Sequence, residues 1–305
     1  MIVVGGGVVG LTTAVVLAEA GRRVSVWTRE PAEETTSAVA GGLWWPYRIE
    51  PERLVGAWAL ETLEVYEELA TAPGETGVRL VDGVHEGARL DQLGDWAGRV
   101  PGLRAVPDGL AARLPVIDMP AHLAWLRRRL VRAGGTVARR EVTDLAGVPA
   151  EVVVNCSGLG ARSLAGDDGV RPVRGQLVLV ENPGIDTYYT SVDHSSPVAA
   201  YFIPQPYGLI LGGTAQEDDW SLEPDPATAE EIIAGCARVR PEIAGARVLA
   251  HRVGLRPYRD AVRLEREPLP GGRTVVHSYG HGGAGVTVAW GCAREAAGLV
   301  LDPAA

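Results

Sequence analysis

The 305-residue chain has 46% apolar and 22% charged residues and a formal net charge of −9, a globular composition long enough for one large domain or two interleaved ones. The negative balance argues against nucleic-acid and anionic-membrane surfaces, which need basic patches. No apolar run approaches the about 18–20 residues that span a bilayer, and the N-terminus shows no charged region or cleavage site, so a cytoplasmic location is expected.

In chain order, Met1–Val4 reads as a strand, Val8–Ala20 as an apolar helix closed by Gly21, and Arg23–Thr28 as a second strand. This is βαβ grammar and implies a parallel sheet. Pro51–Ala70 is an amphipathic helix, with Leu54, Trp58, Leu63 and Leu69 among its apolar positions. Residues 71–115, rich in Gly, Pro and charge, carry only short strand-like pieces. Met119–Ala133 is a helix, and Thr136–Val142 and Glu151–Asn155 are strands. Gly175–Val180, Ala199–Ile203 and Leu209–Gly212 read as strands of a second sheet, followed by a helix over Ala227–Val239. The Pro-containing stretch Gly254–Pro257 leads to a strand near Arg263–Glu265; Thr274–Ser278 is a strand and Val286–Val300 a closing helix. The order predicts two discontinuous domains: 1–50, 134–170 and 270–305 for a dinucleotide, and 51–133 and 171–269 for a substrate.

Cys156, Cys236 and Cys292 lack CxxC spacing, so no metal site is expected. A Cys236–Cys292 disulfide between two predicted helices stays open, although a cytoplasmic chain disfavours it.

The first motif is Gly5-Gly6-Gly7-Val8-Val9-Gly10, with Gly5, Gly7 and Gly10 in G-x-G-x-x-G spacing between a strand and a helix. Gly5 permits the turn, Gly7 lets backbone approach a pyrophosphate, and Gly10 lets helix and strand pack closely. The amides of Val8 and Val9 lie at the helix N-terminus, where a pyrophosphate binds. The acidic residue expected at the end of the second strand is replaced by Thr28, followed by Arg29. A hydroxyl there still bonds ribose or adenine, and Arg29 suits a 2′-phosphate or a plain surface turn. The βαβ unit alone therefore leaves FAD, NAD and NADP open.

The second motif, Thr35-Thr36-Ser37-Ala38-Val39-Ala40-Gly41-Gly42-Leu43-Trp44-Trp45-Pro46-Tyr47, combines hydroxyls and small residues suited to threading beside a cofactor. It resembles the flavin-proximal segment of the D-amino acid oxidase family. Val152-Val153-Val154-Asn155-Cys156-Ser157-Gly158, followed by Pro172-Val173-Arg174-Gly175-Gln176, resembles the same family. So do Val253-Gly254-Leu255-Arg256-Pro257-Tyr258, Ala200-Tyr201-Phe202-Ile203-Pro204 and His277-Ser278-Tyr279-Gly280-His281-Gly282-Gly283-Ala284-Gly285-Val286-Thr287.

The resemblance covers nearly the whole chain. It implies a Rossmann-like FAD domain of α/β class with a second α+β substrate domain on a mixed, mostly antiparallel sheet. It implies FAD contacts from Gly5, Gly7, Val8, Val9, Gly10, Thr28, Arg29, Thr35, Thr36, Ser37, Gly41, Gly42, Leu43, Val142, Ser157, Gly158, Arg256, Gly282, Gly283, Gly285, Val286 and Thr287. Arg256, in a stiff apolar and Pro-flanked setting, forks onto the substrate carboxylate. Tyr201 bonds the same carboxylate and Gly283 receives the amino group. Exposed amides at the start of the closing helix stabilise negative charge on the flavin. His281, Arg259 and Arg263 are given structural roles. Mammalian members carry a lid tyrosine where Pro197 stands, and D-aspartate oxidases carry an arginine where Ala215 stands.

The activity implied is oxidative deamination of neutral or apolar D-amino acids with O₂, by a chain free to form a homodimer. A related flavin enzyme for glycine, sarcosine, D-aspartate or D-proline, and a non-enzymatic dinucleotide sensor, are the alternatives.

Overall fold

The computed structural model describes residues 1–46, 49–191 and 198–302. Tyr47 and Pro197 lie outside the described residues. The chain runs β1 (Ile2–Val4), α1 (Val8–Glu19), β2 (Ser25–Thr28), α2 (Thr36–Val39), α3 (Glu52–Leu69), α4 (Pro73–Thr76), β3 (Val78–Glu86), β4 (Arg104–Val106), β5 (Gly109–Ile117) and α5 (Met119–Arg132). It continues with β6 (Thr136–Arg139), β7 (Val152–Asn155), α6 (Ala161–Leu164), β8 (Arg171–Val180), β9 (Tyr188–Ser191), β10 (Val198–Gln205), β11 (Gly208–Thr214), β12 (Gln216–Glu217), α7 (Pro226–Val239), β13 (Val248–Leu269), β14 (Arg273–His281) and α8 (Gly285–Leu301).

All strands join one sheet, in the order β4-β5-β3-β9-β10-β11-β8-β13-β14-β7-β1-β2-β6, with β12 on β8. The β14-β7-β1-β2-β6 end is parallel throughout. From β14 to β9 every pairing is antiparallel. The two expected sheets are therefore continuous, and β13 joins them. Its first part pairs with β8 from Val248 to Tyr258, and its second part with β14 as far as Leu269. A bulge between Tyr258 and Arg263 marks the change of neighbour.

Alternation builds the layers. In the parallel strands, Val3, Val26, Val154 and Val276 point into the main core, while Ile2, Val4, Trp27, Val153 and Val275 form a smaller core on the other face. Helix α1 (VVGLTTAVVLAE) is apolar on nearly every side and is correspondingly buried. It packs against α8 and α5, and α3 packs against α8. On the antiparallel half, Phe202, Leu209 and Leu211 face α7, and Ile203 and Ile210 face the main core.

Helix starts follow local chemistry. Asp118 caps α5 by accepting from the Ala121 amide at 3.1 Å, and Asp225 caps α7 by accepting from the Ala227 and Thr228 amides. Where residues 71–115 suggest only short pieces, the chain forms two nine-residue strands, β3 and β5, the second running on to Ile117. Gly83 interrupts the alternation of β3 because Tyr188 of β9 lies across it. Strand β6 stops at Arg139, short of Val142. The three cysteines are free and buried. Cys236 sits in the core under α7 and Cys292 in the main core, so no disulfide joins them.

Burial lowers the pKa of His85 to about 3, of His122 and His281 to about 4, and also lowers that of His277. Unfolded histidine titrates near 6.5. Between these values the unfolded chain binds more protons, so stability rises with pH, is fully present above about 6.5, and is lost as pH falls toward about 4. We expect the melting temperature to drop as pH is lowered from 7 to 5. A flat profile over that range counts against these neutral, buried imidazoles.

Candidate active site

Three glycine-containing turns meet at the start of α1. Gly5 has a φ of 116°, and a Cβ there would lie 2.2 Å from the Cys156 carbonyl oxygen. A Cβ at Gly10 would lie 2.0 Å from the Gly5 oxygen, so the helix approaches the strand as closely as backbone permits. The turn after β7 thus touches the turn after β1. The third turn, Gly282–Gly285 before α8, comes beside Val9: a Cβ at Gly285 would lie 3.7 Å from Val9 Cγ2.

The Thr35–Leu43 segment wraps this point. Ser37 Oγ accepts from the Val8 amide at 2.9 Å, and Gly7 lies against that hydroxyl. Thr35 Oγ1 donates to the Ala32 carbonyl at 2.7 Å, and Thr36 Oγ1 donates to the Leu255 carbonyl at 3.1 Å. Thr36 therefore ties the segment to the strand that carries Arg256. Gly41 lies against Ile203 and Tyr201, and Gly42 (φ 81°) against the Ile117 carbonyl. Leu43 bridges to Val116. Thr287 Oγ1, in the first turn of α8, donates to the Trp45 carbonyl at 3.1 Å. Val286 accepts from the buried Tyr66 hydroxyl at 3.0 Å.

Thr28 is buried over Gly6, with its hydroxyl donating to the Glu30 carbonyl at 2.6 Å. Arg29 is 66% exposed and paired with Glu30. Val142 is half-buried against the smaller core, on the face opposite α1. These last two stand apart from the convergence. Ser157 donates to Asn155 Oδ1 at 2.6 Å, and Gly158 lies against Pro257, one residue from Arg256.

The second half of the site lies on the antiparallel strands. Tyr201 projects from β10 across β11: a Cβ at Gly212 would lie 1.9 Å from its Cζ, and one at Gly213 would lie 2.9 Å from its hydroxyl. Arg256 projects from β13 over β8, where a Cβ at Gly175 would lie 2.4 Å from Nη2 and 2.5 Å from Cζ and Nη1. Since β11 and β8 are neighbours, the phenol and the guanidinium converge on one boundary. A Cβ at Gly283 would lie 3.3 Å from Arg256 Cδ, so the α8 turn closes the third side. Arg256 Nη1 donates to the Thr214 carbonyl at 2.9 Å, and among the described residues no carboxylate pairs with it. Arg259 pairs with Asp167, and Arg263 with Glu265 and Glu267.

The fold gives a place in the site to residues for which the motifs carried no role. Gln205 Nε2 donates to the Gly41 and Ile117 carbonyls at 3.0 and 3.1 Å, pinning the wrapping segment from β10. Gly175, Gly212 and Thr214 gain meaning only from their cross-strand neighbours.

The donor set fits a dinucleotide. It offers a glycine turn that only Gly5 and Gly10 can form, amides at two helix starts, and the Ser37 hydroxyl. His281 Nε2 is buried without a hydrogen-bond partner among the described residues. A βαβ glycine turn, met by the Gly282–Gly285 turn that lies against Arg256, is the arrangement of a dinucleotide-dependent enzyme.

Comparison with known proteins names the cofactor. Residues 1–299 match the model of the FAD dependent oxidoreductase family, and the chain belongs to that family. It is 66% identical to a D-amino-acid oxidase of Streptomyces coelicolor, over 98% of this chain and 96% of that protein. A D-amino-acid oxidase of Rubrobacter xylanophilus is 50% identical over 98% and 94%. A solved glycine oxidase of Geobacillus kaustophilus shares the fold, with a TM-score of 0.80, 20% identity and coverage of 98% and 93%. Among the described residues no helix is long and apolar enough to cross a membrane.

Proposed function

We propose that the chain oxidises neutral or apolar D-amino acids with water and O₂ to 2-oxo acids, ammonia and hydrogen peroxide. The observation that carries this is the convergence of the Arg256 guanidinium and the Tyr201 phenol on the β8–β11 boundary, beside Gly283. The 66% and 50% identical D-amino-acid oxidases support it. The chemistry FAD supplies when bound is acceptance of a hydride from the substrate α-carbon and return of the electrons to O₂.

This chain's residues do the holding. Arg256 forks onto the carboxylate, Tyr201 bonds the same group, and a Gly283 carbonyl takes the amine. Three fixed points leave one direction for the α-hydrogen, so only one enantiomer presents it productively. A neutral amine needs no base to remove a proton from carbon, and His281, buried and with its pKa lowered to about 4, is a neutral imidazole at pH 7. Ala215 is exposed beside Thr214 and offers no second cation for an acidic side chain.

We assign residues 1–50, 134–170 and 270–305 to the FAD unit and 51–133 and 171–269 to the substrate unit. In support, the parallel strands β1, β2, β6, β7 and β14 all fall in the first set. Helices α3 and α5, in the second set, pack against α8 and α1 of the first.

The test is an absorbance spectrum of the purified protein before and after anaerobic addition of D- or L-alanine. Bleaching by the D-form alone is expected, and bleaching by L-alanine or by neither sinks the proposal. Tyr201→Phe removes one hydrogen bond to a charged group, so kcat/KM on D-alanine should fall about 10–100-fold with flavin content unchanged. Unaltered kinetics would show that the hydroxyl does not touch the substrate.

A further inference from the structure

The substrate arginine is aimed by its surroundings, and the surroundings are unusual. From Leu209–Val180 to Gly212–Leu177 the β11–β8 ladder is regular. Pairing resumes at Gln216–Arg174, one residue out of step. Residues 213–215 thus form a bulge, which turns backbone groups out of the ladder. The Thr214 carbonyl, freed there, accepts from Arg256 Nη1 at 2.9 Å. The Thr214 hydroxyl takes the place of a ladder acceptor for the Gln176 amide at 3.0 Å. Thr214 and Gln176 are both buried.

The chain beyond the bulge is fastened by Arg174, itself only 3% exposed. Its guanidinium donates to the Ser221 and Glu223 carbonyls at 3.0 and 2.6 Å and to the Gln216 and Gln176 side chains at 2.6 and 3.0 Å. Beneath Arg256, Gly175 leaves the guanidinium room to lie close over β8. Any Cβ there would overlap three guanidinium atoms, at 2.4–2.5 Å. The overlap falls on the free end of a long side chain and not on backbone.

We infer that Gly175 and Thr214 are positioning residues for Arg256: the glycine sets the height of the guanidinium above β8, and the bulged carbonyl sets its rotation. The inference rests on Arg256 as the carboxylate anchor. It assigns substrate affinity to two residues that touch no substrate. Because a methyl at Gly175 meets a movable group, Gly175→Ala keeps the fold and the flavin while displacing the fork. Thr214→Val strips the acceptor from the buried Gln176 amide and loosens the bulge, and Thr214→Ser retains it.

The test uses flavin-loaded enzyme, with propionate as a bare carboxylate probe and propionamide as its uncharged control, both followed by calorimetry alongside D-alanine kinetics. Gly175→Ala and Thr214→Val should each weaken propionate binding and raise KM for D-alanine by at least about tenfold, with a smaller change in kcat. Propionamide should bind all variants alike, and Thr214→Ser should restore the wild-type values. Wild-type propionate affinity in both Gly175→Ala and Thr214→Val, with affinity lost in Arg256→Ala, overturns the inference and leaves the anchor standing. Wild-type affinity in Arg256→Ala overturns the anchor and the inference together. If Gly175→Ala does not fold, the contrast between Thr214→Val and Thr214→Ser decides the matter alone.

Discussion

Replacing Arg256 with Ala should lower kcat/KM on D-alanine by about three orders of magnitude. A bidentate guanidinium–carboxylate pair comprises two charge-assisted hydrogen bonds, each worth about 1.5–3 kcal/mol. Together they amount to roughly 3–6 kcal/mol, and each 1.36 kcal/mol is about a factor of ten in rate. The loss should exceed that of Tyr201→Phe, because the tyrosine gives one bond and carries no charge. Flavin should remain bound, since on the proposed reading the turns at Gly5–Gly10, Ser157–Gly158 and Gly282–Gly285 supply most of its contacts. Lys at 256 should recover only part of the loss, because an ammonium supplies the charge without the planar fork. Steady-state kinetics and the flavin-to-protein ratio measure both halves of the expectation. Full activity in Arg256→Ala would remove the anchor from the mechanism.

Gly10→Ala should cost the protein its cofactor. A Cβ at this position would stand 2.0 Å from the Gly5 oxygen and 3.3 Å from Cys156 Cβ. The first contact is with backbone, so no rotamer change relieves it. Helix α1 must move away from β1, and the amides at its start move with it. Overpacking of this kind costs about 1–3 kcal/mol in stability. The effect on flavin should be larger, because a displaced turn loses several amide contacts at once; we expect occupancy to fall by about tenfold or more. Gly98→Ala is the matched control, since a Cβ there meets nothing within 4 Å. A Gly10→Ala protein that purifies fully yellow contradicts the close helix–strand packing assigned to this glycine.

What was legible in the sequence was what is local. Gly5, Gly7 and Gly10 act within six consecutive residues, between a strand and a helix that they themselves connect. Their spacing alone announces the turn. Arg256 and Tyr201 were legible only through family resemblance, because their partners lie on other strands. Gly175 and Gly212 were opaque for a physical reason: each matters through the side chain that crosses over it from a neighbouring strand. The sequence marks β13 only near Arg263–Glu265, with Gly254–Pro257 as a lead into it, because Pro257 lacks the amide a strand ladder needs. A proline is tolerated where the strand changes partners, and that exchange depends on β8 and β14, which are distant in sequence. The same distance hid β3, whose alternation is interrupted at Gly83 where Tyr188 lies across it, and β5, which is buried along nearly its whole length.

Strand β13 is also a ruler. Arg256 stands two residues before Tyr258, where the strand hands over from β8 to β14, and β14 runs on into the turn that opens α8. The proposed carboxylate anchor and that turn therefore lie on two directly paired strands, with one register shift between Tyr258 and Arg263. Opening such a site by swinging one half from the other would mean unzipping the sheet. Substrate preference in such a scaffold is free to drift through the loops at the sheet edge. The distance from the proposed anchor to the turn before α8 is not, because two paired strands set it.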